Sequence, residues 1–164
     1  SMLATRTDGT LWGWGHNNYG QLGQNSKVDY SSPVQIPGTD WSAEIAIFWE
    51  QAAAVKTDGE LWMMGRNTDG QLGQGNKTNY SSPVQVPGTT WKQVAGDQYE
   101  AGVNAIKTDG TLWAWGQGTS GRIGTNNNTE YQSPVQVGGL TLWQNVSIGV
   151  GERFRSATQY DTTP

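Results

Sequence analysis

Few residues in this chain of 164 could do chemistry on their own. There is one histidine, His16, and no cysteine. A His/Cys metal site and a thiolate nucleophile are therefore excluded, and a Ser-His-Asp arrangement would rest on His16 alone. His16 aligns with Arg66 and Gln117 in the repeats described below, so it reads as a freely chosen loop position. Glycoside hydrolysis needs two carboxylates across a cleft, and Glu50 and Glu100 are the pair that would offer them. They are one repeat apart, which gives them the same loop position in successive units. Asp8, Asp58 and Asp109 each precede a glycine and have turn duties. Gly-Gln-Leu-Gly at 20–23 and 70–73 lacks the Lys and the strand-to-helix setting of a phosphate loop. Asn-x-Ser/Thr sequons at Asn76, Asn79, Asn127 and Asn145 follow from an Asn- and Ser/Thr-rich composition. The reading is a non-enzymatic chain without metal or cofactor.

What the chain does have is repetition. Thr57 to Gly65 (TDGELWMMG) recurs as Thr7 to Gly15 and Thr108 to Gly116, at spacings of 50 and 51 residues. Between Thr7–Trp41 and Thr57–Trp91, 23 of 35 positions are identical, so the units are copies of one structure. Asp-Gly between apolar runs predicts a two-residue type I′ hairpin with both central residues at positive φ. In the strand that follows, Trp12 and Trp14 share one face and Leu11 and Gly13 the other, so both faces are covered. No stretch keeps a 3.6-residue apolar period. The second unit offers four extended segments, Ile45 to Trp49, Ala52 to Thr57, Leu61 to Gly65 and Pro83 to Val86, the last opening on a proline suited to an edge strand. Four strands in about 50 residues is the arithmetic of a propeller blade.

The totals agree. Hydrophobic residues make up 34% and Gly numbers 23, a composition that would favour disorder without nine Trp and six Tyr at regular positions. A net charge of −4 and scattered basic residues argue against a nucleic-acid footprint, and no apolar run reaches the length of a membrane span. With no cysteine and no leader-like segment, localisation stays open, an extracellular or virion-surface setting included. Ser1-Met2 resembles an expression scar, and the abrupt entry into a strand suggests a piece cut from a longer array.

The order Trp91, Val94-Ala95-Gly96, Ala105-Ile106-Lys107-Thr108-Asp109-Gly110, Leu112-Trp113-Ala114-Trp115-Gly116 resembles the regulator of chromosome condensation repeat. Asn67-Thr68-Asp69-Gly70-Gln71-Leu72-Gly73 and Ser82-Pro83-Val84-Gln85-Val86 complete the pattern, and it covers essentially the whole chain. The resemblance implies an all-β propeller with blades of four antiparallel strands, roughly seven per ring, and uses as varied as nucleotide exchange on a small GTPase, chromatin contact and inhibition of an enzyme. The wedge on which exchange depends is not found here, and chromatin contact fits an acidic chain poorly. Three departures stand out. Gly118 replaces the patterned Asn, Arg122-Ile123 replaces Gln-Leu, and Phe48-Trp49-Glu50 replaces a Gly-containing turn.

The repeats run approximately over 3–53, 54–104 and 105–158 of one domain, 1–164. The last segment, 143–161, copies the start of a unit and ends where 3–15 begins, with Ala157 to Asp161 overlapping Ala4 to Asp8. Together they supply one shared closing blade. Three blades are too few for a ring, so closure is expected between two copies, giving six blades with C2 symmetry in preference to a trimer of nine. Leu3, Ala4, Thr5, Val146, Ile148, Val150, Phe154 and Ala157 are the self-association candidates. Residues that differ between repeats are free of repeat duties, and Trp, Tyr and Arg dominate binding hot spots. His16, Tyr19, Trp49, Glu50, Arg66, Asp69, Tyr99, Glu100 and Arg122 are accordingly the candidates for binding a protein partner. Carbohydrate binding by a lectin-like propeller, or an engineered or isolated fragment without ligand, are the alternatives.

Overall fold

The computed structural model describes residues 1–96, 102–148 and 155–159, with backbone alone for 148 and 155–159. Thirteen strands make four antiparallel sheets among the described residues. The first sheet has three strands, β1 (Met2–Thr5), β2 (Leu11–Gly15) and β3 (Tyr30–Ile36). Two complete blades follow. One runs β4 (Trp41–Ile47), β5 (Gln51–Lys56), β6 (Leu61–Gly65), β7 (Tyr80–Gln85). The other runs β8 (Trp91–Gly96), β9 (Gly102–Lys107), β10 (Leu112–Gly116), β11 (Tyr131–Gln136). The last sheet pairs β12 (Trp143–Ile148) with β13 (Arg155–Gln159).

The registers superpose these sheets. Ala4 lies opposite Trp12 as Ala54 lies opposite Trp62 and Ala105 opposite Trp113. By this measure β1 is a second strand, so the first sheet lacks its first strand, while β12 and β13 are a first and a second. The expectation of three blades of four strands is refined accordingly: two blades are complete, and the two end sheets hold five strands between them.

The Asp-Gly turns depart from expectation. The amide of Gly59 donates to the Lys56 carbonyl at 3.0 Å and that of Lys56 to the Glu60 carbonyl at 2.8 Å, while φ is positive at Gly59 (87°) and not at Asp58. This is a type I turn closed by a left-handed Gly, the three-residue hairpin loop. Asp stays right-handed because its side chain is in use: Asp8 Oδ1 accepts from the Thr10 amide (3.1 Å) and hydroxyl (2.6 Å), and Thr10 Oγ1 accepts from Trp12 Nε1 (2.9 Å). Asp109, Thr111 and Trp113 repeat the chain of bonds, and Glu60 replaces Thr in the middle blade, accepting from Trp62 Nε1 at 3.1 Å. The Thr10 and Thr111 hydroxyls hold the Asp8 and Asp109 carboxyls below the usual range. The prolines differ too. Pro33, Pro83 and Pro134 sit inside β3, β7 and β11, which is tolerated because each is the last strand of its sheet.

Blades stack through their apolar faces. Leu11, Ile36, Trp41, Ala52, Ala54 and Met64 fill the first boundary. The second holds Phe48, Leu61, Met63, Leu72, Val86, Trp91, Val103, Ala105 and Trp115, all buried. Ala95, Ile106, Leu112 and Val146 make the third. Burying each large side chain contributes about 1.5–3 kcal/mol. In the loop after the third strand of the first two units, a fully buried Asn serves as the organiser. Asn67 Oδ1 accepts from the Leu72 amide at 2.8 Å and its Nδ2 donates to the Asn76 carbonyl at 2.9 Å; in the first sheet Asn17 accepts from the Leu22 amide and donates to the Ser26 and Val28 carbonyls. In the third unit Gly118 takes that place, and the Thr129 carbonyl occupies the volume where a Cβ would be.

Candidate functional site

One set of the variable residues converges across the boundary between the first two sheets. Its foundation is Phe48, fully buried between the complete blades against Gly96, whose missing side chain leaves the room. With Phe48 anchored and its amide donating to the Gln51 carbonyl at 3.0 Å, Trp49 at the tip of the turn faces solvent, 57% exposed. The expected strand Ile45 to Trp49 therefore ends at Ile47, because Phe48 to Glu50 forms the turn. Glu50 is drawn back beneath the loop, 8% exposed, and its carbonyl accepts from the Arg66 amide at 2.9 Å. A Cβ at Gly65 would meet that same carbonyl, which with its φ of 109° reserves the position for Gly.

Arg66 is the hub. Its Nη1 donates to Glu50 Oε2 at 3.0 Å, its Nε to Thr68 Oγ1 at 2.9 Å, and Thr68 Oγ1 donates to Asp69 Oδ2 at 2.9 Å. Its guanidinium carbon lies 5.2 Å from the Trp49 ring centre and 5.7 Å from that of Tyr19, on the loop of the first sheet. Cation–π contact with two rings and a charge-assisted bond hold one cation in place. Tyr19, Trp49, Glu50, Arg66 and Asp69, named from the sequence as separate candidates, are thus one cluster. His16 stands beside Gln21, Nδ1 to Nε2 at 3.3 Å, and its carbonyl accepts from Ser1 Oγ at 2.7 Å. Arg122 occupies the corresponding loop of the third unit and donates to Gln117 Oε1 at 2.7 Å. Tyr99 and Glu100 lie outside the described residues, as do Val150 and Phe154. Leu3, Ala4 and Thr5 form β1, Val146 and Ile148 lie on β12, and Ala157 on β13.

Two features were missed in the sequence. Thr68 completes the cluster, and the only signal was that it differs from Asn18 of the first unit, Thr119 repeating it in the third. The second is a lysine between tryptophans in each complete blade. Lys56 Nζ lies 5.7 Å from the Trp41 ring and 4.9 Å from Trp62, beside an open groove of about 330 Å³ lined by Pro37, Gly38 and Pro83. Lys107 lies 4.7 and 4.3 Å from Trp91 and Trp113. The signal was available as a basic residue two positions before each Asp-Gly. Among the described residues, no group of three His, Cys, Asp or Glu is placed to hold a metal ion.

The regulator of chromosome condensation (RCC1) repeat matches at residues 8–47, 58–98 and 109–153. The chain belongs to that family. It is 31% identical over 139 residues to the ultraviolet-B receptor UVR8 of Arabidopsis thaliana, covering 82% of this chain and 31% of the receptor. Among solved structures it is similar to human WBSCR16, with TM-score 0.77, 22% identity and coverage of 90% of this chain and 40% of that one. It is also similar to Prp20p of Saccharomyces cerevisiae, whose structure was described with its binding to Gsp1p and histones, at TM-score 0.73 and 19% identity over 84% and 36%. The same yeast protein bound to Kap60 gives 0.76 and 20% over 90% and 38%. These likenesses establish propeller blades of RCC1 type, and the chain spans roughly a third of the receptor's length. Among the described residues no helix is long and apolar enough to cross a membrane.

Proposed function

We propose that this chain is a non-enzymatic protein-interaction module that binds a protein partner through the Tyr19–Trp49–Arg66 cluster, and that two copies complete a six-bladed ring. The observation that carries partner binding is Arg66 fixed between two aromatic rings over a nearly buried Glu50, beside an exposed Trp49. Preformed Arg, Trp and Tyr groups bind at low entropic cost, which is why such residues dominate hot spots. The yeast relative's association with Gsp1p, histones and Kap60 supports a protein as the partner class. The repeated tryptophans support it as well, since the Trp62 and Trp113 rings are tied to turn residues and cover lysines.

The test is quantitative affinity capture with the whole chain from a lysate of its source, comparing wild type with Trp49→Ala, Arg66→Ala and Arg122→Ala. Proteins that fall about tenfold or more with the first two variants and not the third are the expected partners. A capture profile unchanged by Trp49→Ala and Arg66→Ala would refute the assignment of the cluster.

A further inference from the structure

Two positions before the hairpin Asp-Gly of each unit stands a cation, Arg6, Lys56 or Lys107. Two of the three are met by an acid. Arg6 Nη1 pairs with Asp8 Oδ2 at 3.2 Å. Lys56 Nζ lies 3.5 Å from Glu60 Oε2, the same oxygen that accepts from Trp62 Nε1 at 3.1 Å. In the second complete blade Thr111 stands where Glu60 does. Its hydroxyl accepts from Trp113 Nε1 at 2.8 Å, and Asp109 Oδ1 is engaged by the Thr111 amide and hydroxyl at 2.9 and 2.7 Å. Lys107 makes no ion pair among the described residues, although its charge is one of the influences that hold the Asp109 carboxyl low.

The rings register the difference. Lys107 Nζ lies 4.7 and 4.3 Å from Trp91 and Trp113, closer than the 5.7 and 4.9 Å that separate Lys56 from Trp41 and Trp62, as expected where no carboxylate draws the ammonium off the rings. Lys107 is half-buried, so its ammonium is held but still reachable. An ideal Cβ at Gly88 would lie 3.4 Å from Lys107 Nζ and 3.8 Å from Trp91 Nε1, so a residue without a side chain lies over both. Trp91 Nε1 is itself buried without an acceptor. An ammonium and an indole N–H thus lie together inside an aromatic frame of low dielectric, where a charge-assisted bond is strongest. The groove beside Lys56 is lined by Pro37, Gly38, Ser82 and Pro83, and the matching residues beside Lys107 are Pro87, Gly88, Ser133 and Pro134. Trp91 and Trp113 belong to the boundary between the two complete blades. Trp91 opens β8 and Lys107 closes β9, so the site lies at the strand ends opposite to the end at which Trp49 follows β4.

We propose that Lys107, framed by Trp91 and Trp113, is a docking site for the carboxylate side chain of an acidic peptide segment, and that Glu60 is the chain's own occupant of the equivalent site in the middle blade. Charge complementarity selects the occupant. Glu60 shows that a carboxylate fits between the lysine and the rings, and the site at Lys107 differs from that one chiefly in having Thr111 there instead. The Trp113 indole is already bonded to Thr111, so the incoming carboxylate takes its bonds from the Lys107 ammonium. Two rings hold that ammonium in place beforehand, which lowers the ordering cost that makes most exposed ion pairs weak. The site is separate from the Tyr19–Trp49–Arg66 cluster and stands whether or not that cluster binds a partner.

The test exchanges residues 60 and 111 between the blades of the whole chain, since each hairpin already accommodates the other's residue. The probe is a blocked hexaglutamate peptide, titrated at low salt into nitrogen-15-labelled protein and read from the indole N–H resonances. Hexaglutamine and inorganic phosphate are the controls. In the wild type the Trp91 and Trp113 resonances are expected to move with hexaglutamate while those of Trp41 and Trp62 stay in place. Lys107→Met and Thr111→Glu are each expected to weaken this binding about tenfold, the second by supplying an internal carboxylate. Glu60→Thr is expected to open a second site, so that the Trp41 and Trp62 resonances move as well. A gain of binding cannot be produced by misfolding, which keeps the test decisive if Lys107→Met is unstable. Trp91 and Trp113 resonances that ignore hexaglutamate, or respond equally to hexaglutamine, would overturn the proposal. So would binding unaltered by Lys107→Met and Thr111→Glu, or a Glu60→Thr variant without the second site. A response to phosphate in preference to hexaglutamate would overturn the carboxylate assignment.

Discussion

Phe48 and Gly96 are the pair on which the presentation of the site depends, and their coupling can be measured. An ideal Cβ at Gly96 would lie 2.5–2.6 Å from three carbons of the Phe48 ring, well inside contact distance, and Gly96 does not have a positive φ, so Ala is opposed there by crowding alone. Gly96→Ala overpacks the boundary and should cost about 1–3 kcal/mol. Phe48→Ala removes a ring only 2% exposed and should cost about 3–5 kcal/mol through lost burial and a cavity. In the double variant the new methyl enters space the ring has left, so the combined loss should fall short of the sum by about 1–3 kcal/mol. Urea unfolding followed by tryptophan fluorescence at one fixed protein concentration reads all four corners of the cycle. Additive losses would refute the account of how Phe48 anchors the turn that carries Trp49 and Glu50.

The remaining predictions concern other elements. Burial raises the Glu44 carboxyl above its usual 4.5, only partly offset by the hydrogen bond from the Val94 amide. Protonation therefore favours the folded chain, and the stability present below 4.5 is lost as pH rises through the folded-state value. Glu44→Gln keeps the acceptor, as Gln93 does, and should raise stability at pH 7 by about 0.5 kcal/mol, a small figure because solvent screens a half-exposed group, with no gain at pH 3 in the same urea titrations. Asn67→Ala removes a fully buried side chain that satisfies the Leu72 amide and the Asn76 carbonyl, and should cost about 2–4 kcal/mol of unfolding free energy by the same assay. Trp49→Ala, at an exposed tip, should change stability by less than about 0.5 kcal/mol while abolishing partner capture.

What could be read from the sequence was whatever repeats. The 50-residue period, the Asp-Gly hairpins and the paired tryptophans each recur in register, so local chemistry and global architecture point the same way. The turn type was misread because Asp tolerates positive φ, yet here its carboxyl is engaged by Thr10 or Thr111 and the following Gly alone turns left-handed. Phe48 looked like an aromatic on a loop, since nothing local reveals that Gly96, almost a full repeat away, leaves it a cavity. The candidates Tyr19, Trp49 and Arg66 were found by subtracting the repeat. Their union around one guanidinium was not, because Tyr19 belongs to a different sheet and cross-blade proximity has no periodic signature. Lys56 and Lys107 were passed over for the opposite reason: as repeated residues they were credited with structure, and their place between rings needs the first strand's Trp41 or Trp91 laid beside the third strand's Trp62 or Trp113.

The account as a whole depends on whether the face bearing Trp12 and Trp14 is covered by a second copy. Multi-angle light scattering across a dilution series from micromolar upward measures this without any partner or label. The account predicts a species of twice the 17.8 kDa chain mass that dissociates only at the lowest concentrations. A single species of 17.8 kDa throughout the series would contradict it.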